Sequence, residues 1–569
     1  MASRRPRLAT LFLMVHESGQ MNGLCYHVEN MNDQQAIGQS RGQLWRKFKI
    51  LAVGGTALLS AVFMIKWSLT EVQGAVNEDT WLTAIADVVV GEIPAQPNFL
   101  IMFADDLGSD KLASYDLSSV YAPLPALAAL ASKGVQFNNA YGAYLCSPFR
   151  AMLETGRLGH QTGITNLVDC KAEGLALSEI SLAEKLNFYD SSWIGKVHIW
   201  GAENGVDEWI WEYVLDQGWK NFSALTPQGM ANQGICGDGI DVENKLTNYV
   251  AFNSGGVVKN YKGSKNYADK ISADAAVSEM ARMSEPWLLK IAFNGPHSQH
   301  DADGNSQWVY PPTGLWPAPD YGAYVGTTLI QKKFHAMAQA LDHEVGKILG
   351  SIPNPENTCV IFMADNGSAG EVVLAPLLNS DSKNHINEMG TRIPFLVYCP
   401  GAPTGVSEAL VGVSDIYATV SELAGVPLDV SSPAFGSSFS LVRYLDDPTA
   451  PSQRGCAFRE SGVILDDLGD SNWEWSCSTT GYRLHRAYSA TGGIVSIDRK
   501  ELFKLAGGVD VDGDGLRDVI ELGLGGVGRN FDLFSDGISA EEAAIANEID
   551  GFRPSTSFVP YPALNIVAE

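Results

Sequence analysis

Basic residues are scarce in this chain: 39 Lys and Arg stand against 65 Asp and Glu in 569 residues, a formal net charge of −26. Nucleic-acid phosphates need a basic surface, so this balance excludes nucleic acid as a partner. Any anion-binding pocket must be a local basic exception. No apolar run reaches the ~20 residues of a spanning helix. The longest at the N-terminal end, Ile50–Ile65, has sixteen residues, slightly more than the roughly 7–15 of a secretory apolar region. Arg46, Lys47 and Lys49 precede it, and the small pair Gly74-Ala75 follows as a cleavage candidate. The basic flank keeps the N-terminus inside, so the rest of the chain is expected to be exported, either cleaved free or anchored through 50–65. Residues 1–45 are polar with no helical or alternating period, and the chain carries no internal repeat. Cysteines number eight, too few for a disulfide scaffold. Apart from Cys25 and Cys146, six remain, and export permits them to pair. Cys456 with Cys477 is the expected bridge, whereas Cys359 and Cys399 lie in apolar runs and read as buried small hydrophobes.

What is present is ordinary globular material, 45% hydrophobic and 18% charged, enough for one large core and a smaller companion. From Pro97 to Val426, short apolar runs alternate with amphipathic stretches. Strands are expected at Asn98–Ala104, Ser192–Gly195, Trp287–Phe293 and Thr358–Ala364. Helices are expected at Leu124–Ser132, at Ile271–Ser284, and where Ile330, Phe334, Met337, Leu341, Val345 and Ile348 recur at spacings of three and four. The fold class is therefore α/β, a large mainly parallel sheet flanked by helices. A smaller α+β domain is expected over 427–569, with a helix from the Ser539/Glu542 capping box. The layout is a leader over 1–75, a catalytic domain over 97–426, and that C-terminal domain.

Ligands of such sheets bind at the carboxyl ends of strands. Two expected strands end in oxygen ligands there, Asp105-Asp106 and Asp365-Asn366. Without histidine or thiolate among them, such a set suits a hard cation, Ca²⁺ or else Mg²⁺. Cys146 lies just before Pro148, with Gly156 eight residues on, which places it at a helix N-terminus where free N–H groups favour an anion. Arg150 adds a positive charge one turn later. A second set, Asp510, Asp512, Asp514, Asp518 and Glu521 with Gly515, fits positions 1, 3, 5, 9, 12 and 6 of a twelve-residue calcium loop, and suggests a second, structural Ca²⁺.

Cys146-Ser147-Pro148-Phe149-Arg150 through Thr155-Gly156-Arg157 resembles the Cys-x-Pro-x-Arg…Thr-Gly-Arg signature of the type I sulfatases, in the alkaline-phosphatase-like superfamily. The run Pro97–Gly108 resembles the family's first strand, and Gly195-Lys196-Val197-His198 its Gly-Lys-x-His element. Asn294-Gly295-Pro296-His297 is similar to its Asn-x-Pro-His turn, and Ala364-Asp365-Asn366-Gly367 to its second metal motif. Lys383 ahead of Glu388-Met389-Gly390-Thr391-Arg392 resembles the family's Lys and Glu-Gly-Gly-x-Arg. Phe149 stands where the family has a small residue, Met389 replaces a glycine, and Ser109-Asp110 replaces Tyr-Gly. The resemblance implies that a formylglycine-generating enzyme oxidises Cys146 to formylglycine, whose hydrate attacks a sulfate ester. It implies Ca²⁺ on Asp105, Asp106, Asp365, Asn366 and the modified Cys146. Arg150 and Lys196 would hold the nucleophile and sulfate, His198 would assist proton transfer, and His297 and Lys383 would face the leaving group, His297 as general acid. The substrate implied is a sulfated small molecule or polysaccharide. A phosphonate monoester hydrolase or phosphodiesterase of the same superfamily, and a catalytically silent binding protein, remain the competing readings. His300, His335, His343 and His385 match no motif and are expected at the surface, with His300 and His385 near enough in sequence to matched residues to touch substrate.

Overall fold

A computed structural model of the protein describes residues 91–505 except 119, 169–173, 202–209, 227–245, 247–248, 254–256, 262–265, 301–305, 316–327, 375–381, 430, 465–470, 479–481 and 492–493, together with the strand segments 9–17, 20–28 and 521–522. Residues 1–74 and 75–569 form two compact units. In the first, Ala9–Glu17 and Gln20–Val28 pair as an antiparallel hairpin, where the sequence offered no period. The apolar run 50–65 and the expected helix from Ser539 lie outside the described residues. Among those described, no helix is long and apolar enough to cross a membrane.

The second unit is α/β and built on a ten-stranded sheet. We number its strands β1 (Asn98–Ala104), β2 (Val135–Tyr141), β3 (Asp190–Lys196), β4 (Asn221–Thr226), β5 (Tyr249–Asn253), β6 (Val257–Tyr261), β7 (Trp287–Ala292), β8 (Thr358–Ala364), β9 (Phe395–Tyr398) and β10 (Gly405–Gly412). Their order is β10-β2-β9-β8-β1-β7-β3-β4-β5-β6. Parallel pairing runs unbroken through β8, β1, β7, β3 and β4, while β9 is antiparallel to both its neighbours. Every residue of β1 and β8 is buried. That explains why both read as continuous apolar runs: a central parallel strand is covered on both faces. Helices α1 (Pro125–Lys133), α2 (Cys146–Thr155), α3 (Ala268–Arg282), α4 (Leu329–Leu349) and α5 (Asp415–Leu423) flank the sheet. The ridge of α4 at Phe334, Met337, Leu341, Val345 and Ile348 is buried in the main core, as its spacing requires. A five-stranded antiparallel sheet follows, β11 (Ala457–Ile464), β12 (Ser471–Ser478), β13 (Tyr482–Thr491), β14 (Ile494–Leu505) and β15 (Glu521–Leu522), in that order.

Two sequence expectations are corrected. Cys359 and Cys399 form a disulfide, with Cα atoms 4.2 Å apart. The antiparallel pairing Val360↔Tyr398 extends to place these two cysteines directly opposite each other, a proximity that apolar sequence context alone conceals. The expected bridge Cys456–Cys477 is present, joining β12 to the residue before β11. His335 is not at the surface: it is 2% exposed on α4 beside Phe334, and burial, with Lys111 nearby, lowers its pKa to about 4. His343 and His385 are exposed as expected, and the side chain of His300 lies outside the described residues.

Candidate active site

Register builds the floor of the site. Ala104 of β1 pairs with Ala364 of β8, so the two chains leave adjacent parallel strands at one level carrying Asp105-Asp106 and Asp365-Asn366. The Asp365 N–H donates to the Ala104 carbonyl at 3.1 Å, and the Asp106 N–H donates to Asp365 Oδ1 at 3.1 Å. On the other side of β1, Phe103 pairs with Ala292 of β7, whose continuation carries His297. Ala292 in turn pairs with Gly195 of β3, next to Lys196. Four neighbouring strand ends thus supply the acidic floor, His297, Lys196 and His198. Gly195 has φ +88° and no room for a side chain, since a Cβ there would meet the Ala292 carbonyl oxygen at 2.0 Å.

Helix α2 delivers Cys146. Leu145 is its extended N-cap, Cys146 its first residue, and Gly156 its left-handed C-cap. Cys146 Sγ lies 3.4 Å from Asp105 Oδ1, 3.6 Å from Asn366 Oδ1 and 3.8 Å from Lys383 Nζ. One turn on, Arg150 donates to Asp105 Oδ2 (3.3 Å), Asp365 Oδ2 (3.4 Å) and the Lys196 carbonyl (2.9 Å). Phe149, large where the family has a small residue, is fully buried against Phe103 with ring centroids 5.3 Å apart. It is part of the main core. Lys196 pairs with Asp105, Lys383 Nζ lies 2.6 Å from Asp106 Oδ1, and His297 Nε2 lies 3.6 Å from Asp106 Oδ2. Asn366 Nδ2 donates to Asp106 Oδ1 at 2.7 Å, which leaves its Oδ1 toward Cys146. The Nδ1 of His297 is taken by the Ser298 carbonyl at 2.5 Å, so Nε2 is the nitrogen facing the acidic cluster.

The electrostatics set Asp105 and Asp365 apart. Burial alone would raise Asp105, but Lys196, His297, Arg150 and Lys383 outweigh it and hold Asp105 well below its usual range. For Asp365, burial and then the Asp105 charge prevail over Arg150, and its pKa rises to about 7. Burial, then Asp105 and Asp365, pushes the Cys146 thiol well above its ordinary value. Burial and the neighbouring cations lower His198 and His297. Burial opposes ionised Lys383, yet Asp106 prevails and raises its pKa.

The donor chemistry fits a divalent cation. Carboxylate oxygens of Asp105 and Asp106, Cys146 Sγ and a nitrogen of His297 lie within 4.8 Å of one another. The third carboxylate is pushed toward protonation by burial and then by the Asp105 charge. A hard ion would supply positive charge there. Asp365 and Asn366 stand at this cluster's edge, Asp365 turned toward Arg150 and the Asp106 backbone, while His297 enters it from the β7 side. All ten residues of the expected site except His198 are tied together by direct contacts, and His198 joins through the fields of Lys196, Arg150 and Asp105. The candidate calcium loop 510–521 lies outside the described residues, apart from the strand backbone at Glu521.

Sequence reading missed Asp269. Its Oδ1 accepts the N–H groups of Asn294 and Gly295 at 3.1 and 3.0 Å, bracing the turn that carries His297. The only local signal was an acidic residue in the first turn of α3, which does not reveal a partner 25 residues away.

Solved structures share this architecture. Ps i-CgsB, in complex with k-i-k-neocarrahexaose, superposes with a TM-score of 0.57 at 19% identity, covering 80% of this chain and 91% of that one. BT4656, in complex with its substrate D-glucosamine-2-N,6-O-disulfate, gives 0.51 at 17% identity, covering 72% and 91%. A sulfatase family model matches residues 97–426, more than half of the chain, and the chain belongs to the sulfatase family. Arylsulfatase A of Homo sapiens is 31% identical over 364 residues, 58% of this chain and 65% of that protein. Arylsulfatase G of Rattus norvegicus is 29% identical over 411 residues, covering 64% and 73%, and arylsulfatase of Hemicentrotus pulcherrimus 26% over 350, covering 58% and 59%. The match thus spans between 59% and 73% of the length of these curated relatives.

Proposed function

We propose that this protein hydrolyses sulfate monoesters of carbohydrates, with position 146 as the nucleophile in its oxidised form. The observation that carries this reading is the setting of Cys146. The side chain sits at a helix N-terminus among Asp105, Asn366 and Lys383, a place built for an anion and a cation. Yet burial and the two aspartates disfavour its thiolate, and a thiol that resists ionisation is a poor nucleophile. The sulfatase signature Cys146-Ser147-Pro148-Phe149-Arg150 supports an oxidised group at this position. Oxidised to formylglycine, the residue would supply a hydrated aldehyde, one hydroxyl for attack on sulfur and a second for release of sulfate, with Ca²⁺ on the Asp105–Asn366 cluster neutralising charge.

The surrounding residues have separable tasks. Arg150 and Lys196 bring positive charge to the Asp105 side of the nucleophile, and Lys383 to the Asp106 side. His297 presents Nε2 to the departing oxygen, because its Nδ1 is committed to Ser298, and would deliver the proton from its imidazolium form. The two disulfides suit an oxidising compartment, consistent with export. A sulfated saccharide is favoured as substrate because structural neighbours were solved with such ligands, and the Asp510–Glu521 loop is assigned a structural Ca²⁺ on its spacing.

Two measurements test the reading. Protein produced with a formylglycine-generating enzyme should show, by peptide mass spectrometry, loss of the Cys146 thiol, and should cleave an aryl sulfate faster than the matching aryl phosphonate. Preference for the phosphonate would replace the reading with the phosphonate hydrolase alternative. An intact thiol together with no turnover would leave a binding protein.

A further inference from the structure

The five-stranded C-terminal sheet reaches back to the segment that carries Lys383. Arg459 of β11 and Glu388 are each buried, at 3% exposure, and pair at 3.2 Å. Arg459 Nε and Nη2 donate to Ser476 Oγ at 3.1 and 2.7 Å, and Nη2 also donates to Ser478 Oγ at 2.5 Å. Ser478 Oγ donates to the same Glu388 oxygen at 2.5 Å, and Ser476 Oγ donates to the Ile386 carbonyl at 3.1 Å. From the catalytic sheet, the Tyr141 hydroxyl donates to the other Glu388 oxygen at 2.8 Å, and its ring lies under the guanidinium at 4.5 Å. The Cys456–Cys477 bridge lies beside this cluster and clamps the two strands that carry it.

A buried ion pair adds little to stability once its desolvation is counted, but one with every hydrogen bond satisfied imposes a particular geometry. Here the geometry concerns five residues of chain. Lys383, five positions before Glu388, touches Asp106 Oδ1 at 2.6 Å and Cys146 Sγ at 3.8 Å. Between them Asn384 holds a left-handed backbone with φ +76°. A non-glycine residue keeps such a conformation only where its surroundings over-determine it. On the Lys383 side the restraints are two backbone bonds, Lys383 N–H to the Ser368 carbonyl and Asn384 N–H to the Tyr144 carbonyl. On the other side they are the Arg459–Glu388 cluster and the Ser476 bond to Ile386.

We propose that Arg459 and Glu388 are positioning residues for Lys383, so that the C-terminal sheet completes the active site through a loop it does not itself contribute. The role of Lys383 rests on the function proposed above, but its placement does not. Displacing a reacting group by about 1 Å costs on the order of 10²-fold in rate, and that is the loss in kcat expected for Arg459→Ala.

The experiment has two arms. A crystal structure of Arg459→Ala should show Lys383 drawn away from Asp106, and Lys383 still seated there would overturn the proposal whatever the enzyme's substrate. In a double-mutant cycle on an aryl sulfate, Arg459→Ala should cost kcat about 10²-fold alone but less than about 3-fold in a Lys383→Ala background. Equal losses in both backgrounds would show that Arg459 acts only as structural support, and would also overturn it. Should Arg459→Ala not fold, Ser478→Ala keeps the ion pair and should give a smaller loss with the same dependence on Lys383. An inactive wild type would count against the proposed sulfatase activity alone, with the crystallographic arm still deciding this one.

Discussion

The carboxylate floor at Asp105, Asp106 and Asp365 and the rim at His297 and Lys383 meet at the same few atoms but reach them differently. The floor comes straight off two parallel strands whose register, Ala104↔Ala364, leaves its residues little freedom. The rim comes off turns, each braced by a side chain distant in sequence: Asp269 for the His297 turn, and Arg459, acting through Glu388, for the Lys383 segment. The floor is held by the backbone ladder of the sheet, the rim by side-chain bonds that single substitutions can remove. Damage to the floor should therefore abolish chemistry and spare the fold, while damage to a brace should reduce chemistry in a graded way.

The largest expected effect is on the floor. Cys146→Ala and Asp365→Ala should each lower kcat more than about 10⁴-fold with an unchanged circular dichroism spectrum. Near-normal rates in either would remove that residue from the mechanism. Next comes the ion. With the divalent cation at 100 times its Kd, the wild type should gain about 2.7 kcal/mol over the chelated protein in denaturant titration. In Asp365→Asn that gain should shrink to whatever the Asp510–Glu521 loop supplies. The chelated variant should be at least as stable as the chelated wild type, because burial and Asp105 already disfavour the Asp365 charge. A variant destabilised by more than about 1 kcal/mol would mean that the three carboxylates are balanced without an ion.

An effect of similar size is expected at the brace of the His297 turn. Burial raises the Asp269 pKa from 3.8 to about 7, against the pull of the two N–H groups it accepts. The folded protein therefore holds a proton that the unfolded chain releases, so this contribution to stability is present at low pH and is lost as pH rises through about 7. Asp269→Asn keeps the accepting oxygen and removes the titration. Its stability relative to wild type should climb by roughly 2–4 kcal/mol between about pH 4 and pH 7. A pH-independent difference would show that Asp269 stays ionised throughout.

Much of this was legible beforehand where the determinants were local. The strands Asn98–Ala104 and Thr358–Ala364 match their apolar runs residue for residue, since a central parallel strand must be apolar on both faces. Cys146 opens α2 and Gly156 closes it, as the positions of Pro148 and Gly156 required. Illegible were contacts between segments far apart in the chain. Cys359 and Cys399 face each other only because β9 runs antiparallel to β8. His335 looked like a surface residue because one position on a long helix does not say which neighbours cover it. Asp269 and Arg459 carried no motif, since a brace needs only a charge at the right place in three dimensions.

The sequence by itself determined the strand and helix ends that carry the candidate site residues, because propensity, apolar runs and capping act over a few residues. Only the tertiary structure decided strand order and register, how Asp105, Asp106 and Asp365 share the surrounding cations, and which distant side chains hold the turns. Those outcomes depend on through-space distances and on burial, neither of which exists before the chain is folded.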